Sequence, residues 1–138
     1  MNGPVFLDTN VLVYAAPRPD PRSETARALL ARRGMISVQV LNEFVNVAHR
    51  KLRRSWPEIT KALGAIRDLC PPPSPITLAI DEAALGIASR TGYQFYDALI
   101  VAAALEAGCA TLFSEDLQDG HVIESSLTIR NPFGTPGQ

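Results

Sequence analysis

The chain alternates between two hydrophobic periods. Val5-Phe6-Leu7 is a short apolar run that stops at Asp8, as a buried strand does. A helical stretch from Val11 to Ala16 follows, and Pro17, Pro19 and Pro21 end it. Ser23 with Ala26, Leu29 and Leu30 predicts a capped amphipathic helix closed by Gly34. Met35-Ile36-Ser37-Val38 predicts a second strand. It leads into a helix whose apolar face carries Val40, Leu41, Phe44, Val47, Ala48 and Leu52. Ser55-Trp56-Pro57-Glu58 reads as a capping box for a helix running to about Leu69. After the rigid Pro71-Pro72-Pro73 spacer, Ile76-Thr77-Leu78 suggests a short strand and Asp81 to Arg90 a helix closed by Gly92. A further helix is expected from about Phe95 to Ala107. Ala110-Thr111-Leu112-Phe113 and Leu127-Thr128-Ile129 read as the last strands.

Strands alternating with helices imply an α/β fold, a three-layer α/β/α sandwich with a central parallel sheet. At 138 residues the chain is expected to be one domain, with a core over about 4–132 and a flexible tail at 133–138. Such a length buries enough surface to need no staple. Cys70 and Cys109 lack ligand-like spacing and read as reduced, half-buried thiols of a cytoplasmic chain. The opening residues show no basic or cleavage-like segment, so no signal peptide is expected. No apolar run approaches the roughly 20 residues that span a bilayer. The net charge of −1 excludes a strongly basic nucleic-acid surface, leaving only local patches for polyanions.

The candidate chemistry lies in where carboxylates fall. Loops after parallel strands share one edge of the sheet, and open α/β sheets bind ligands there. Asp8 directly follows the first strand, and Asp116 lies in the loop after Phe113. Glu43 comes about one helical turn after the Met35–Val38 strand, and Asp97 stands in the first turn of its helix. Each has an ordinary reading alone: a cap or Asx turn for Asp8, a solvated flank for Glu43 (roughly 120° from the middle of its apolar face), a first-turn acid for Asp97, a polar loop for Asp116. Their convergence on one edge gives them weight. Gathered like charges raise one another's pKa unless a cation compensates. Oxygen donors without histidine or thiolate favour hard ions, Mg²⁺ or Mn²⁺.

These same positions carry a resemblance. Val5-Phe6-Leu7-Asp8-Thr9-Asn10-Val11-Leu12-Val13-Tyr14 resembles the opening of PIN-domain nucleases, specifically the VapC toxins of bacterial toxin–antitoxin pairs. It continues through Val40-Leu41-Asn42-Glu43-Phe44, Tyr96-Asp97-Ala98-Leu99-Ile100-Val101-Ala102-Ala103-Ala104 and Leu112-Phe113-Ser114-Glu115-Asp116-Leu117, and spans the chain from Val5 to Pro132. The resemblance implies a PIN-like sandwich, Mg²⁺- or Mn²⁺-dependent endoribonuclease activity, frequent homodimers, and a cognate VapB-like antitoxin that blocks the site. It places the acids at Asp8, Glu43, Asp97 and Asp116, a polar residue at Asn10 and a small hydroxyl at Ser114. Asp8 and Asp97 are then expected to ligate metal directly. Glu43 completes the cage or orients the attacking water, and Asp116 serves a second ion or acts through water. Thr9, Asn10 and Ser114 are expected to hold the carboxylates by hydrogen bonds. Asp119 is an additional acid with no assigned role.

RNA contacts can come only from the basic segment His49-Arg50-Lys51-Leu52-Arg53-Arg54 and from Arg18, Arg22, Arg32 and Arg33, which also read as solvated helix ends. His49 and His121 read as solvated rather than catalytic. Trp56 and Tyr96 read as buried rather than stacked on bases. An antitoxin segment is expected to fold against helices Ser23–Arg33 and Ser55–Leu69, where Leu29, Leu30, Trp56 and Ile59 serve either as exposed anchors or as core. A response-regulator receiver needs paired acids after the first strand, where this chain has Asp8-Thr9, and a lysine after the late strand, where it has Ser114-Glu115. A haloacid-dehalogenase-like phosphatase needs Asp-x-Asp, where Asn10 takes the second position. A non-catalytic module with this fold, binding RNA or protein, and a solitary RNA-processing nuclease are the remaining alternatives.

Overall fold

Three consecutive buried residues form β1 (Val5–Leu7) in the computed structural model, which describes residues 3–134. Asp8 turns the chain at once into α1 (Thr9–Ala15), and its carboxylate caps the helix by accepting from the Thr9 amide. The helices α2 (Ser23–Ala31), α3 (Val38–Arg50), α4 (Trp56–Leu69), α5 (Leu78–Thr91) and α6 (Phe95–Glu106) follow. The last segment supplies β2 (Thr111–Phe113), β3 (Val122–Ile123) and β4 (Leu127–Arg130).

The sheet runs β1-β2-β4-β3. Its first three strands are parallel, with Phe6 opposite Leu112 and Leu112 opposite Ile129. The helices flank it as the expected sandwich, α1 packing on α2 and α3, and α5 lying along α6. α6 touches α3, α5 and β2, and its residues from Ala98 to Ala104 are all buried, so the helix is apolar on every side. Phe6, Leu7, Ile36, Ile100, Leu112, Leu127 and Ile129 lie at the fully buried centre. Each such side chain contributes about 1.5–3 kcal/mol relative to exposure.

Four details differ from the sequence expectation. The sheet is not wholly parallel: β3 is an added antiparallel edge, joined to β4 by a turn in which Glu124 and Ser125 have φ of 50° and 57°. Such turns are usually marked by Asn-Gly or Asp-Gly, and here that signal is missing. The Met35–Val38 strand shrinks to single bridges, Met35 beside Phe6 and Ser37 beside Ser74. The cause is Ser37, whose Oγ accepts from the Val40 amide at 3.2 Å and starts α3 at Val38. Likewise Ile76-Thr77-Leu78 is no strand, because Thr77 caps α5 through the Ile80 amide at 3.1 Å. Finally, Arg33, at φ 60°, takes the left-handed position after α2. Gly34 is needed for another reason: a Cβ there would meet Leu7 at 2.6 Å.

The capping box at Ser55–Glu58 and the left-handed Gly92 after α5 are as expected. Cys70 and Cys109 are free and buried rather than half-buried. Of the expected tail, 135–138 lie outside the described residues, while Phe133 packs edge-on against Tyr14 with ring centroids 5.0 Å apart. No helix among the described residues is long and apolar enough to cross a membrane.

Candidate metal centre and active-site cleft

The first and second strands deliver two residues to the same edge side by side. Asp8 continues the ladder beyond β1, its amide donating to the Phe113 carbonyl at 3.0 Å, and Ser114 follows β2. Ser114 is fully buried and donates its hydroxyl proton to Asp8 Oδ2 at 2.6 Å. Ser114 Oγ in turn accepts from the backbone amides of Asp116 at 3.1 Å and Leu117 at 3.3 Å. One hydroxyl thus fixes both a buried carboxylate and the loop that presents Asp116.

Asp8 is only 3% exposed. Burial pushes its carboxyl up to about 6, against the opposing hydrogen bonds from Ser114 and the Thr9 amide, and the charges of Asp116 and Asp97 raise it further. Asn10 bridges two acids, its Nδ2 standing 3.2 Å from Asp116 Oδ2 and 3.5 Å from Asp8 Oδ2. Its Oδ1 accepts from the Glu115 amide at 3.3 Å. Thr9 Oγ1 donates to Glu43 Oε1 at 3.3 Å.

Glu43 is not a solvated flank residue. It is half-buried on α3, and Gln39, one turn earlier, donates to its Oε2 at 2.8 Å. Its carboxyl is raised by burial first, then by the charges of Asp8 and Asp116, against the Gln39 and Thr9 hydrogen bonds. Asp97, in the first turn of α6, is raised by burial and by the charges of Glu43 and Asp116. Among the described residues nothing donates a hydrogen bond to it. The fold therefore brings Asp8, Glu43, Asp97 and Asp116 within electrostatic reach of one another, with Thr9, Asn10 and Ser114 holding three of them.

Among the described residues no lysine or arginine pairs with any of these four acids. The repulsion is left uncompensated by the protein, and every donor is a hard oxygen. That chemistry fits Mg²⁺ or Mn²⁺. Among the described residues, however, no three His, Cys, Asp or Glu side chains are already drawn together to ligating distance. The acids form an open set rather than a closed cage. Glu43 and Asp116 line a cleft of about 460 Å³ between α1, α3 and the loop after β2.

Several participants were not legible beforehand. Gln39 reads as an ordinary helix residue, yet it orients Glu43. Glu115, beside Asp116, accepts from the Tyr14 hydroxyl and pairs with Arg22 at 3.2 Å. The Arg22 guanidinium lies 4.0 Å from the Tyr14 ring centroid and also binds Asp20 at 3.0 Å. Asp119 stands apart from the acids, accepting from the Asn131 amide at 2.9 Å and bracing the end of the sheet. His121 bonds the Tyr93 hydroxyl at 2.6 Å, and His49 stacks on Trp56 with centroids 3.8 Å apart, so neither serves the acids. Trp56 and Tyr96, expected inside, are 57% and 58% exposed. Leu29, Leu30 and Ile59 are core, and the apolar surface instead takes the form of grooves of about 380 Å³ between α3 and α4 and about 280 Å³ between α2 and α4.

Two solved structures share this architecture. A Mycobacterium tuberculosis VapC20 toxin, described as cleaving the sarcin-ricin loop, aligns at a TM-score of 0.64 and 26% identity, over 81% of this chain and 91% of that one. A VapBC2 structure from Rickettsia felis, bound to a DNA fragment from its promoter, aligns at 0.64 and 19% identity, over 92% and 97%. No curated protein matches the sequence. The PIN-domain family model matches residues 5–118, a span that contains all four acids and the three side chains that hold them, and the chain belongs to the PIN-domain family.

Proposed function

We propose that this chain is a Mg²⁺- or Mn²⁺-dependent endoribonuclease, a hydrolase of RNA phosphodiester bonds, and the toxin of a VapBC-type toxin–antitoxin pair. The observation that carries the reading is the set of uncompensated carboxylates at the carboxyl edge of the sheet, with Asp8, Glu43 and Asp97 all raised. A bound divalent ion supplies an activated water near neutral pH and charge compensation at the leaving oxygen. Asp8, fixed by Ser114 and the Thr9 amide, and Asp97, free of hydrogen bonds from the described residues, are the residues to hold it. Glu43, held by Gln39 and Thr9, orients the attacking water as it loses its proton. Asp116, on the exposed lip, completes the oxygen set toward the incoming RNA.

The relatives support the biological role. One is described as a sarcin-ricin-loop-cleaving toxin and the other as VapBC2 bound to a DNA fragment from its promoter. The two apolar grooves suit an amphipathic segment of a VapB-like antitoxin, which would place an arginine or lysine among the four acids and so block the cleft. A homodimer is supported by Leu78 and Leu85, which are 74% and 61% exposed and lie seven residues apart on one face of α5. The setting is cytoplasmic. The deciding experiment is RNA cleavage by the purified chain with Mg²⁺, Mn²⁺ or EDTA, beside Asp97→Asn. Metal-dependent cleavage lost in the variant supports the reading, whereas RNA left intact with both metals overturns it in favour of a binding module.

A further inference from the structure

The cleft is not lined by acids alone. Arg18 and Lys51 stand on its wall with Glu43 and Asp116. Several of the other cations along this chain are committed elsewhere. Arg22 is held between Asp20 and Glu115, Arg54 pairs with Glu58 at 3.8 Å, and Arg33 donates to the Leu69 carbonyl at 3.4 Å. Arg18 is different. Its sole ion-pair partner among the described residues is Asp20, reached by Nη2 at 3.5 Å, and Asp20 is bound more closely by Arg22 at 3.0 Å. Arg18 Nε is buried with no hydrogen-bond partner, a group that normally costs stability unless something completes it. Lys51 is exposed just beyond α3 and has no ion-pair partner among the described residues.

Position along α3 decides what these two cations meet. Glu43, Val47 and Lys51 follow one another at intervals of four residues, on one stripe of the helix. At 1.5 Å per residue, Lys51 lies about 12 Å further along the cleft than Glu43. A phosphate at the carboxylates therefore leaves Lys51 over a flanking phosphate, not over the reacting one. Arg18 enters the same cleft from the segment after α1. Its guanidinium offers a planar fork of donors that suits phosphate oxygens, and Lys51 offers a mobile point charge.

We propose that Arg18 and Lys51 form a phosphate clamp for single-stranded RNA, gripping the backbone beside the acids. The inference rests on the ribonuclease reading above and adds to it the side chains that hold substrate. It also accounts for how a chain of net charge −1 with an acidic centre draws in a polyanion: the attraction is local, at one loosely paired and one exposed cation on one wall.

The test is binding, so that it does not depend on cleavage. A short fluorescein-labelled single-stranded RNA is titrated with the full chain carrying Asp97→Asn, in Mg²⁺, and the affinity is followed as KCl is raised. Adding Lys51→Ala or Arg18→Ala should weaken binding several-fold. Each should reduce the slope of log K against log salt by about 0.7, the contribution of one phosphate contact on a single strand. Arg18→Lys should recover most of the slope, which guards against an Arg18→Ala chain that has lost its fold. Arg67→Ala, on the far end of α4, should change neither quantity. Unchanged affinity and slope in both Lys51→Ala and Arg18→Ala, or equal losses in Arg67→Ala, overturn the clamp. If the clamp variants behave as expected while the unmutated chain never cleaves RNA with metal, the clamp stands and the ribonuclease reading fails.

Discussion

Ser114 gives its hydroxyl proton to Asp8 at 2.6 Å and through the same oxygen accepts the Asp116 amide at 3.1 Å. The first and last of the four site acids, separated by most of the chain, are thus held by one side chain at the ends of neighbouring strands. Removing that hydroxyl leaves a carboxylate that is 3% exposed without its shortest hydrogen bond, and leaves two loop amides unpaired. Ser114→Ala should cost about 1.5–3 kcal/mol of stability at neutral pH, the usual value of a hydrogen bond to a charged group. Metal affinity or activity should drop roughly 10- to 100-fold, as for other residues that orient metal-binding carboxylates. Denaturant unfolding and a Mg²⁺ titration measure the two effects. Wild-type behaviour in both would show that Ser114 fixes neither Asp8 nor the loop.

Asp8 has a carboxyl raised from 3.8 to about 6 by burial, so the folded metal-free chain binds its proton more tightly than the unfolded chain does. The stabilisation from that proton is fully present below about pH 4 and is lost as pH rises through about 6. At 1.36 kcal/mol per pH unit, the loss is on the order of 3 kcal/mol. Glu43 and Asp97, raised in the same sense, add to it. In EDTA, stability should therefore fall from about pH 4 to just above about pH 6, and Asp8→Asn should flatten that fall. An identical pH dependence in the two proteins would remove Asp8 as its source.

Asp97 is the cleanest place to separate catalysis from folding, because no described residue donates a hydrogen bond to it and its neutralisation relieves repulsion from Glu43 and Asp116. Asp97→Asn should abolish metal-dependent cleavage while keeping or raising the melting temperature in EDTA. Mg²⁺ should raise the wild-type melting temperature by mass action, with about 2.7 kcal/mol gained at 100 times the dissociation constant. That increment should shrink in Asp97→Asn. A full Mg²⁺ increment in the variant would place the ion elsewhere.

Three of the four acids are legible in the sequence because Asp8 and Asp116 follow strands and Asp97 opens a helix, positions that local patterning reveals. Glu43 reads on pattern alone as a solvated flank. Its helical angle places it off the apolar face, and only the fold shows that Thr9 from α1 and Gln39 from its own helix turn it inward. The segments that escaped were those in which a side chain overrules periodicity. Ser37 and Thr77 end would-be strands by capping helices, and Glu124-Ser125 adopts a left-handed turn without the residues that announce one. Trp56 shows the same limit from the other side. Apolar size suggests the interior, but its place at the first position of α4, stacked on His49, leaves it exposed.

Arg22 was legible only as one more cation, whereas the structure makes it the counter-charge of the acid next to Asp116. Its guanidinium pairs with Glu115 at 3.2 Å, donates to the Tyr14 hydroxyl at 2.8 Å and lies over the Tyr14 ring. Arg22→Ala leaves Glu115 on the cleft wall without that charge, one residue from Asp116, in a loop that only Asn10, Ser114 and Tyr14 then hold among the described residues. Cleavage should fall roughly 10-fold, the low end for residues that orient a metal site from behind. The salt slope of RNA binding should stay as in the unmutated chain, since Arg22 is spent on internal partners and neutralises no phosphate, so it releases no counterion. Glu115→Gln added to Arg22→Ala should restore most of the lost rate, because the repulsion disappears along with the charge. The pair forms a double-mutant cycle whose coupling reads the contact directly. Additive losses in the double variant would mean that Arg22 acts on something other than Glu115, and a reduced salt slope in Arg22→Ala would mean that it meets the RNA itself.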